Sequence, residues 1–192
     1  MADVAAPTSD QRSRILDAAL TLMSEQGSAG ASMRQLAAAC GLNVATLYHY
    51  FPSKADLLRS VLEQRQFYER LSTEPPPLDL AIPPRERLAG MMAWLWERAL
   101  DEEAVWRLLV GEALRGEAAA TSSASELVDA LAITLEAWLT SGFPEVTGDI
   151  GALARVIRGQ VFALVVEHLA LGAVTPAVAR ARAEELATLV VP

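Results

Sequence analysis

Ser32-Met-Arg-Gln-Leu-Ala-Ala-Ala-Cys-Gly-Leu-Asn-Val-Ala-Thr-Leu-Tyr-His-Tyr-Phe51 holds the signals for two short helices and the tight turn between them. Ser32 and Gln35 have the spacing of a capping box, in which the hydroxyl takes a free backbone N–H and the glutamine reaches back. Leu36, Ala37 and Cys40 follow at helical spacing, and Gly41 ends the helix. Asn43 can cap a second helix running through Tyr50. Helix, a turn at Gly41-Leu42, and helix again is a helix-turn-helix pattern. Ala37 and Ala38 permit close packing, and Leu36, Cys40, Leu42 and Leu47 supply a core. The second helix, Val44–Tyr50, has no charged residue, so it can approach a groove lined by bases without repelling phosphates. It presents Thr46, Tyr48, His49 and Tyr50, which can donate to phosphate oxygens or touch base edges and thymine methyls.

The flanks continue the helical reading. Ile15, Leu16, Ala19, Leu22 and Met23 recur with helical period, and Gly27 is a natural stop. Pro52-Ser53 marks a break, after which Ser53 and Asp56 can cap a helix running to about Leu71. The prolines of 73–83 predict a connection, because proline removes a donor and disfavours helix just before it. Pro84 can begin a helix with Leu88, Met91, Met92, Leu95 and Ala99 on one face. Further helices are expected over 102–116, 122–141, 149–171 and 176–190. No alternating strand pattern and no Asn-Gly or Asp-Gly hairpin turn occurs. The expected class is all-α.

Composition sets outer bounds. The 192 residues are 52% hydrophobic, which excludes wholesale disorder. No apolar run reaches the roughly 18–20 residues of a membrane span, and no secretory leader is expected at the N-terminus. One cysteine excludes an internal disulfide framework, and Cys40 reads as a small core residue. No metal site, cofactor or catalytic set is expected: there is no glycine-rich phosphate loop, no His-Glu-x-x-His and no nucleophile motif beside His168. The net charge of −8 by itself argues against nucleic acid. It is unevenly spread, however. Residues 1–72 hold seven basic and seven acidic side chains, and the remainder holds nine and seventeen. The first part is neutral, so the acidity belongs to the second. Non-specific DNA affinity should accordingly be weak.

Ile15-Leu-Asp-Ala-Ala-Leu20, Gly27, Ser32-Met-Arg-Gln-Leu-Ala37, Gly41-Leu42, Thr46-Leu-Tyr-His-Tyr-Phe51, Ser53-Lys54 and Leu57-Leu58 together resemble the DNA-binding domain of the TetR family of transcriptional regulators. The resemblance covers about residues 10–60. It implies an N-terminal three-helix bundle with a helix-turn-helix, followed by a larger helical ligand-binding and dimerisation domain. It implies a cytoplasmic homodimer on a pseudo-palindromic double-stranded operator, with repression relieved by a small molecule. The divisions expected are a flexible tail over 1–9, the DNA-binding domain over 10–55, a connecting helix over 56–72 and the second domain over 73–192.

By position, Val44, Ala45, Thr46 and His49 match the family's base-facing residues. Tyr48, Tyr50 and Lys54 match its phosphate contacts, and Ser32 and Arg34 its backbone anchors. Asn43-Val-Ala departs from the more usual Ser, polar or basic residue, then Gly or Ala, and Met23 stands where Phe is frequent. Taken alone, Tyr48 and Tyr50 fit half-buried core aromatics equally well, His49 a surface histidine and Lys54 a solvated lysine. The alternative function is a dimeric ligand-binding adaptor on this fold without specific DNA binding.

In the second part, Met92, Trp96, Trp106, Glu112, Thr134, Trp138 and Phe162 are candidates to line a largely apolar effector pocket. Glu112 falls in an apolar stripe, where a carboxylate needs a partner or loses its charge; Arg115 and Arg107 are the available partners. The helix over 149–171 is apolar on almost every side, so a second burial against another subunit is expected. Leu153, Ile157, Gln160, Leu164, Glu167, His168, Leu171, Leu186 and Leu189 are the seam candidates. Gln160, Glu167 and His168 fit the pocket as well.

Overall fold

The structure is a computed structural model and describes residues 9–64, 75–76 and 78–190. Among the described residues every regular element is a helix: α1 (Ser9–Gly30), α2 (Met33–Ala39), α3 (Val44–Tyr50), α4 (Lys54–Gln64), α5 (Pro84–Leu100), α6 (Glu103–Leu114), α7 (Ala118–Gly142), α8 (Ile150–Leu171) and α9 (Pro176–Val190). None is long and apolar enough to cross a membrane. Residues 1–8 of the expected tail, 65–72 of the expected connecting helix and residues 73, 74 and 77 of the expected connection lie outside the described residues.

The chain divides into two compact units, Met1–Gln66 with Ala104–Ser125, and Phe67–Glu103 with Glu126–Pro192. In the first, α1 packs on α2 and α4, and α2 on α3. The periodic residues of α1, Ile15, Leu16, Ala19 and Met23, are buried against Leu36, Leu47, Phe51, Leu57, Leu58 and Val61. Val105 and Leu108 of α6 join this same core. Full burial of each large aliphatic side chain contributes about 1.5–3 kcal/mol, so a cluster of sixteen buried residues joins five helices.

The grouping of 104–125 with the N-terminal helices differs from a second domain running unbroken over 73–192. The reason lies in α6: its apolar stripe completes the first core, and its Glu112 bonds to Ser28. Two helix limits also differ from the sequence expectation. α1 runs past Gly27 to Gly30, with Gly27 in the left-handed region at φ 74° marking an internal break. α7 begins at Ala118, because Glu117 accepts the Thr121 N–H and extends the helix through what reads as a linker.

The second unit is built on α5, which packs against α8 and α9. Leu88, Met91, Met92 and Leu95 of α5 meet Leu135, Trp138 and Leu139 of α7, Leu153 and Ile157 of α8, and Ala183 and Ala187 of α9. Ala179, Ala183 and Ala187 recur every fourth residue and are buried, so α9 lies close on its neighbour through a small-residue stripe. Asp149 caps α8 by accepting the Ala152 N–H at 2.9 Å, and Gly172, left-handed at φ 62°, closes its other end. A buried arginine fixes the loop after α7. Arg87 donates to both carboxylate oxygens of Glu145 at 2.8 and 2.7 Å and to the Ile82 carbonyl at 2.9 Å. Its guanidinium also lies over the Phe143 ring, 4.9 Å from the centroid. The bonds from Arg87 hold the Glu145 carboxyl below the usual carboxylate range.

Candidate nucleic-acid interface

The α2–α3 pair is fixed by local chemistry. Ser32 and Gln35 form the expected capping box, with the Gln35 N–H donating to Ser32 Oγ at 3.2 Å and the Ser32 N–H to Gln35 Oε1 at 2.9 Å. At the other end of α2, Gly41 N–H donates to the Ala38 carbonyl at 3.1 Å and Leu42 N–H to the Ala37 carbonyl at 2.8 Å. This paired pattern needs a left-handed residue between helix and exit, and Gly41 provides it at φ 66° without a Cβ penalty. Leu47 is fully buried beneath α3 and Phe51 anchors its end, so one face of a seven-residue helix is nailed to the core.

The opposite face of α3 is open. Tyr48 is 47% exposed, Ala45 and His49 are exposed, and Val44, Thr46 and Tyr50 are half-buried. Tyr50 packs against the core with its ring inclined 30° to that of Phe51, the centroids 6.5 Å apart, and with His49 edge-on at 6.2 Å. Tyr50 is a half-buried aromatic whose ring supports the helix end while part of it reaches solvent.

Ser32, Arg34, Val44, Tyr48 and Lys54 line one open groove of about 680 Å³, together with Met33, Pro52 and Ser53. Five candidate contact residues from α2, α3 and the start of α4 therefore share a concave surface. Ala45, Thr46, His49 and Tyr50 are not among the groove's lining residues; they belong to α3 itself.

Lys54 has a structural duty as well. Its ammonium donates to the carbonyls of Ala29 and Ala31, both at 3.3 Å. A cation at the C-terminal end of α1 satisfies carbonyls that lack helical partners. An ammonium carries three donors, and these bonds use two of them. Nearby, Ser53 Oγ accepts the Asp56 N–H at 3.0 Å and donates to Asp56 Oδ2 at 2.7 Å, as the spacing predicts. Arg12 of α1 lies over the Phe51 ring, 5.1 Å from its centroid, and donates to Ser60 Oγ at 3.1 Å. Sequence reasoning missed this clasp, since the residues are far apart in the chain. Burial pushes the Cys40 thiol up, against the opposing charge of Arg14, which suits an unreactive core cysteine.

Glu112 does not stand ready for a ligand. Its two oxygens accept the Ser28 N–H and the Ser28 hydroxyl, each at 2.7 Å, and Arg115 donates to the same carboxylate. Burial works to raise its carboxyl, but the bonds from Arg115 and Ser28 outweigh it and hold the group below the usual range. The cause is the break at Gly27, which leaves the Ser28 N–H without a helical partner. A Cβ at Gly27 would come 3.2 Å from the Arg115 guanidinium and 3.5 Å from Glu112 Oε1.

The other pocket candidates divide by unit. Trp106 shares the first unit with Glu112. In the second unit Met92, Trp96, Thr134 and Trp138 are buried, whereas Phe162 is 49% exposed. Trp94 meets Trp138 edge-on at 5.7 Å. Trp96 is buried with its indole N–H unpartnered, and its ring meets His168 edge-on at 5.5 Å.

The seam candidates need correction. Leu153, Ile157 and Leu164 face inward and are buried in their own unit, and Leu186 packs on that core. The exposed line of α8 lies one step round the helix, at Val156, Gly159, Phe162, Ala163, Val166 and Ala170. Glu167 is bound by Arg182 of α9, and His168 Nδ1 donates to the Val174 carbonyl at 3.0 Å, so both are engaged within the chain. Gln160 is half-buried, while Leu171 and Leu189 are exposed. A helix that is apolar all round does not announce which side faces its own core.

Comparison with known proteins agrees with this geometry. The family described as "Bacterial regulatory proteins, tetR family" matches residues 15–61, the span from α1 to α4. The HTH-type transcriptional repressor KstR of Rhodococcus jostii is 33% identical over 153 residues, covering 77% of this chain and 68% of the relative. A TetR-like transcriptional regulator from Rhodococcus sp. RHA1 superposes with a TM-score of 0.71 at 24% identity, over 95% of this chain and 96% of the other. Salmonella enterica GusR does so with a TM-score of 0.71 at 19% identity, over 98% and 99%. With an intact helix-turn-helix and a relative matched well beyond it, the chain belongs to the TetR family and is a DNA-binding transcriptional regulator.

Proposed function

We propose that the protein is a cytoplasmic homodimeric repressor. Each subunit places α3 in a major groove of a pseudo-palindromic operator, and a small, largely apolar effector lowers operator affinity. The observation that carries this reading is α3 itself: a charge-free helix, open on one face and pinned on the other, beside a groove lined by Ser32, Arg34, Tyr48 and Lys54. Val44, Ala45, Thr46 and His49 read bases, and Tyr48, Tyr50, Lys54, Ser32 and Arg34 hold the backbone. The word repressor in the name of the Rhodococcus jostii relative supports repression as the direction of control.

The exposed apolar line of α8, with Leu171 and Leu189, forms the subunit seam in this reading. Gly159, Ala163 and Ala170 in that line permit close helix approach between twofold copies. The effector binds among the aromatic side chains of the second unit, around Met92, Trp96, Thr134 and Trp138. To empty an operator it must prefer the non-binding state by a few kcal/mol, on the order of magnitude that population shifts require.

Selection of genomic fragments by the full chain tests the reading. An imperfect inverted repeat should be enriched, with half-sites about one helical turn, roughly 34–36 Å, apart. Enrichment of no sequence would overturn it in favour of an adaptor.

A further inference from the structure

Asn43 makes two hydrogen bonds with one residue. Its Oδ1 accepts the Thr46 backbone N–H at 2.7 Å and contacts Thr46 Oγ1 at 3.0 Å. The first bond decides the second. A backbone N–H needs an acceptor, so the atom it meets is the amide oxygen and not the amide nitrogen. That oxygen carries no proton, so the Thr46 hydroxyl must donate to it. The hydroxyl proton is thereby committed inside the protein. What Thr46 has left for a DNA groove is lone pairs and a methyl group.

We infer that Asn43 sets the base preference of the regulator by fixing Thr46 as a hydrogen-bond acceptor. In the major groove adenine offers its N6 amino group and cytosine its N4 amino group, whereas guanine offers only acceptors and thymine an acceptor and a methyl. A free threonine hydroxyl rotates and serves either kind of edge. The hydroxyl held by Asn43 accepts from adenine or cytosine and has no proton to give to guanine. Asn43 is a positioning residue here: it acts on the base through Thr46. The inference rests on Thr46 facing a base, as proposed above.

The test is enrichment from a duplex library with randomised half-sites, using the full chain and three variants. The unaltered protein should show one position in each half-site favouring adenine or cytosine by about three- to tenfold, the range one net hydrogen bond spans. Thr46→Val should abolish that preference. Asn43→Ala should flatten it at that position alone, because the hydroxyl is released. Asn43→Asp keeps an acceptor for both Thr46 groups, so it should keep the preference even if the added charge weakens binding to every sequence. If Asn43→Ala lowers affinity evenly and leaves the preference intact, Asn43 is a helix cap only and the inference fails. If Thr46→Val leaves the whole profile unchanged, Thr46 does not face a base, and the assignment of the reading surface fails first.

Discussion

α3 and α8 are opposite solutions to placing a helix. α3 has seven residues, far fewer than an isolated helix needs to persist in water. It stands because Asn43 caps one end, Leu47 is buried beneath it and Phe51 anchors its exit. α8 has twenty-two residues and apolar groups on nearly every side. Its ends are capped as well, but which of its sides turns inward is set chiefly by packing: Leu153, Ile157 and Leu164 choose the core, and Val156, Phe162 and Val166 are left outside. A helix held by local, directional bonds can present a defined polar surface. A helix held by non-directional burial presents whatever side the core leaves over.

The strongest way to break this contrast is to cut each helix at its buried anchor. Leu47→Ala should cost about 2–5 kcal/mol and abolish operator binding, since Leu47 is the one α3 side chain that is fully buried. Ile157→Ala should cost a similar amount in a denaturation series but leave the reading surface chemically intact. If the two variants lose DNA binding and stability in the same proportion, the two helices are not independent in the way described.

The next test concerns the outer side of α8. Phe162→Asp should weaken self-association by at least about a hundredfold, the scale of a central aromatic anchor lost from an interface, measured by sedimentation equilibrium. At protein concentrations low enough for the unaltered chain to be monomeric, the thermal midpoint should move little, because Phe162 lies outside the core of its unit. A stable dimer in this variant would place the seam elsewhere.

Smaller effects should come from the hydrogen bonds of the first unit. Glu112→Gln should cost about 1–3 kcal/mol, the scale of disturbing a buried bonded carboxylate. The sign with pH follows from the depressed carboxyl. Its stabilisation is complete above the ordinary glutamate value of 4.5 and is lost as pH falls through the lower folded value. The variant should therefore lose less stability than the unaltered chain between pH 5 and the strongly acidic range (approximate limits), which acid titration of the thermal midpoint would reveal. Tyr48→Phe should have the least effect, weakening binding by about two- to tenfold on every sequence without changing base preference. A mobility-shift series on operator variants measures it; a sequence-dependent loss would make Tyr48 a reader.

This contrast also explains what the sequence made legible. The capping box at Ser32 and Gln35, the turn at Gly41 and the cap at Asn43 are short-range chemical signals, and each is where the spacing predicts. Which side of α8 stays outside its own core was not legible in the same way, because Leu153 and Val156 differ in burial but hardly in character. Glu112 shows a third case. Its need for a partner followed from an acid in an apolar stripe, and Arg115 stood among the available ones. Ser28, eighty-four residues away, could not be identified, since the broken helix end at Gly27 that creates its unmet N–H is a property of the folded backbone. The Arg12 contacts with Phe51 and Ser60 were hidden for the same reason.

Lys54 is the single lysine of the chain, and its ammonium is tied to the Ala29 and Ala31 carbonyls. Amine-directed labelling therefore has one side-chain address in the whole protein. Acylation there would remove the charge and disconnect the end of α1 from the start of α4 in one covalent event. The rate at which a mild acylating reagent reaches Lys54 becomes a direct clock for how often that clamp opens, and, under the proposed phosphate contact, operator DNA should slow the clock.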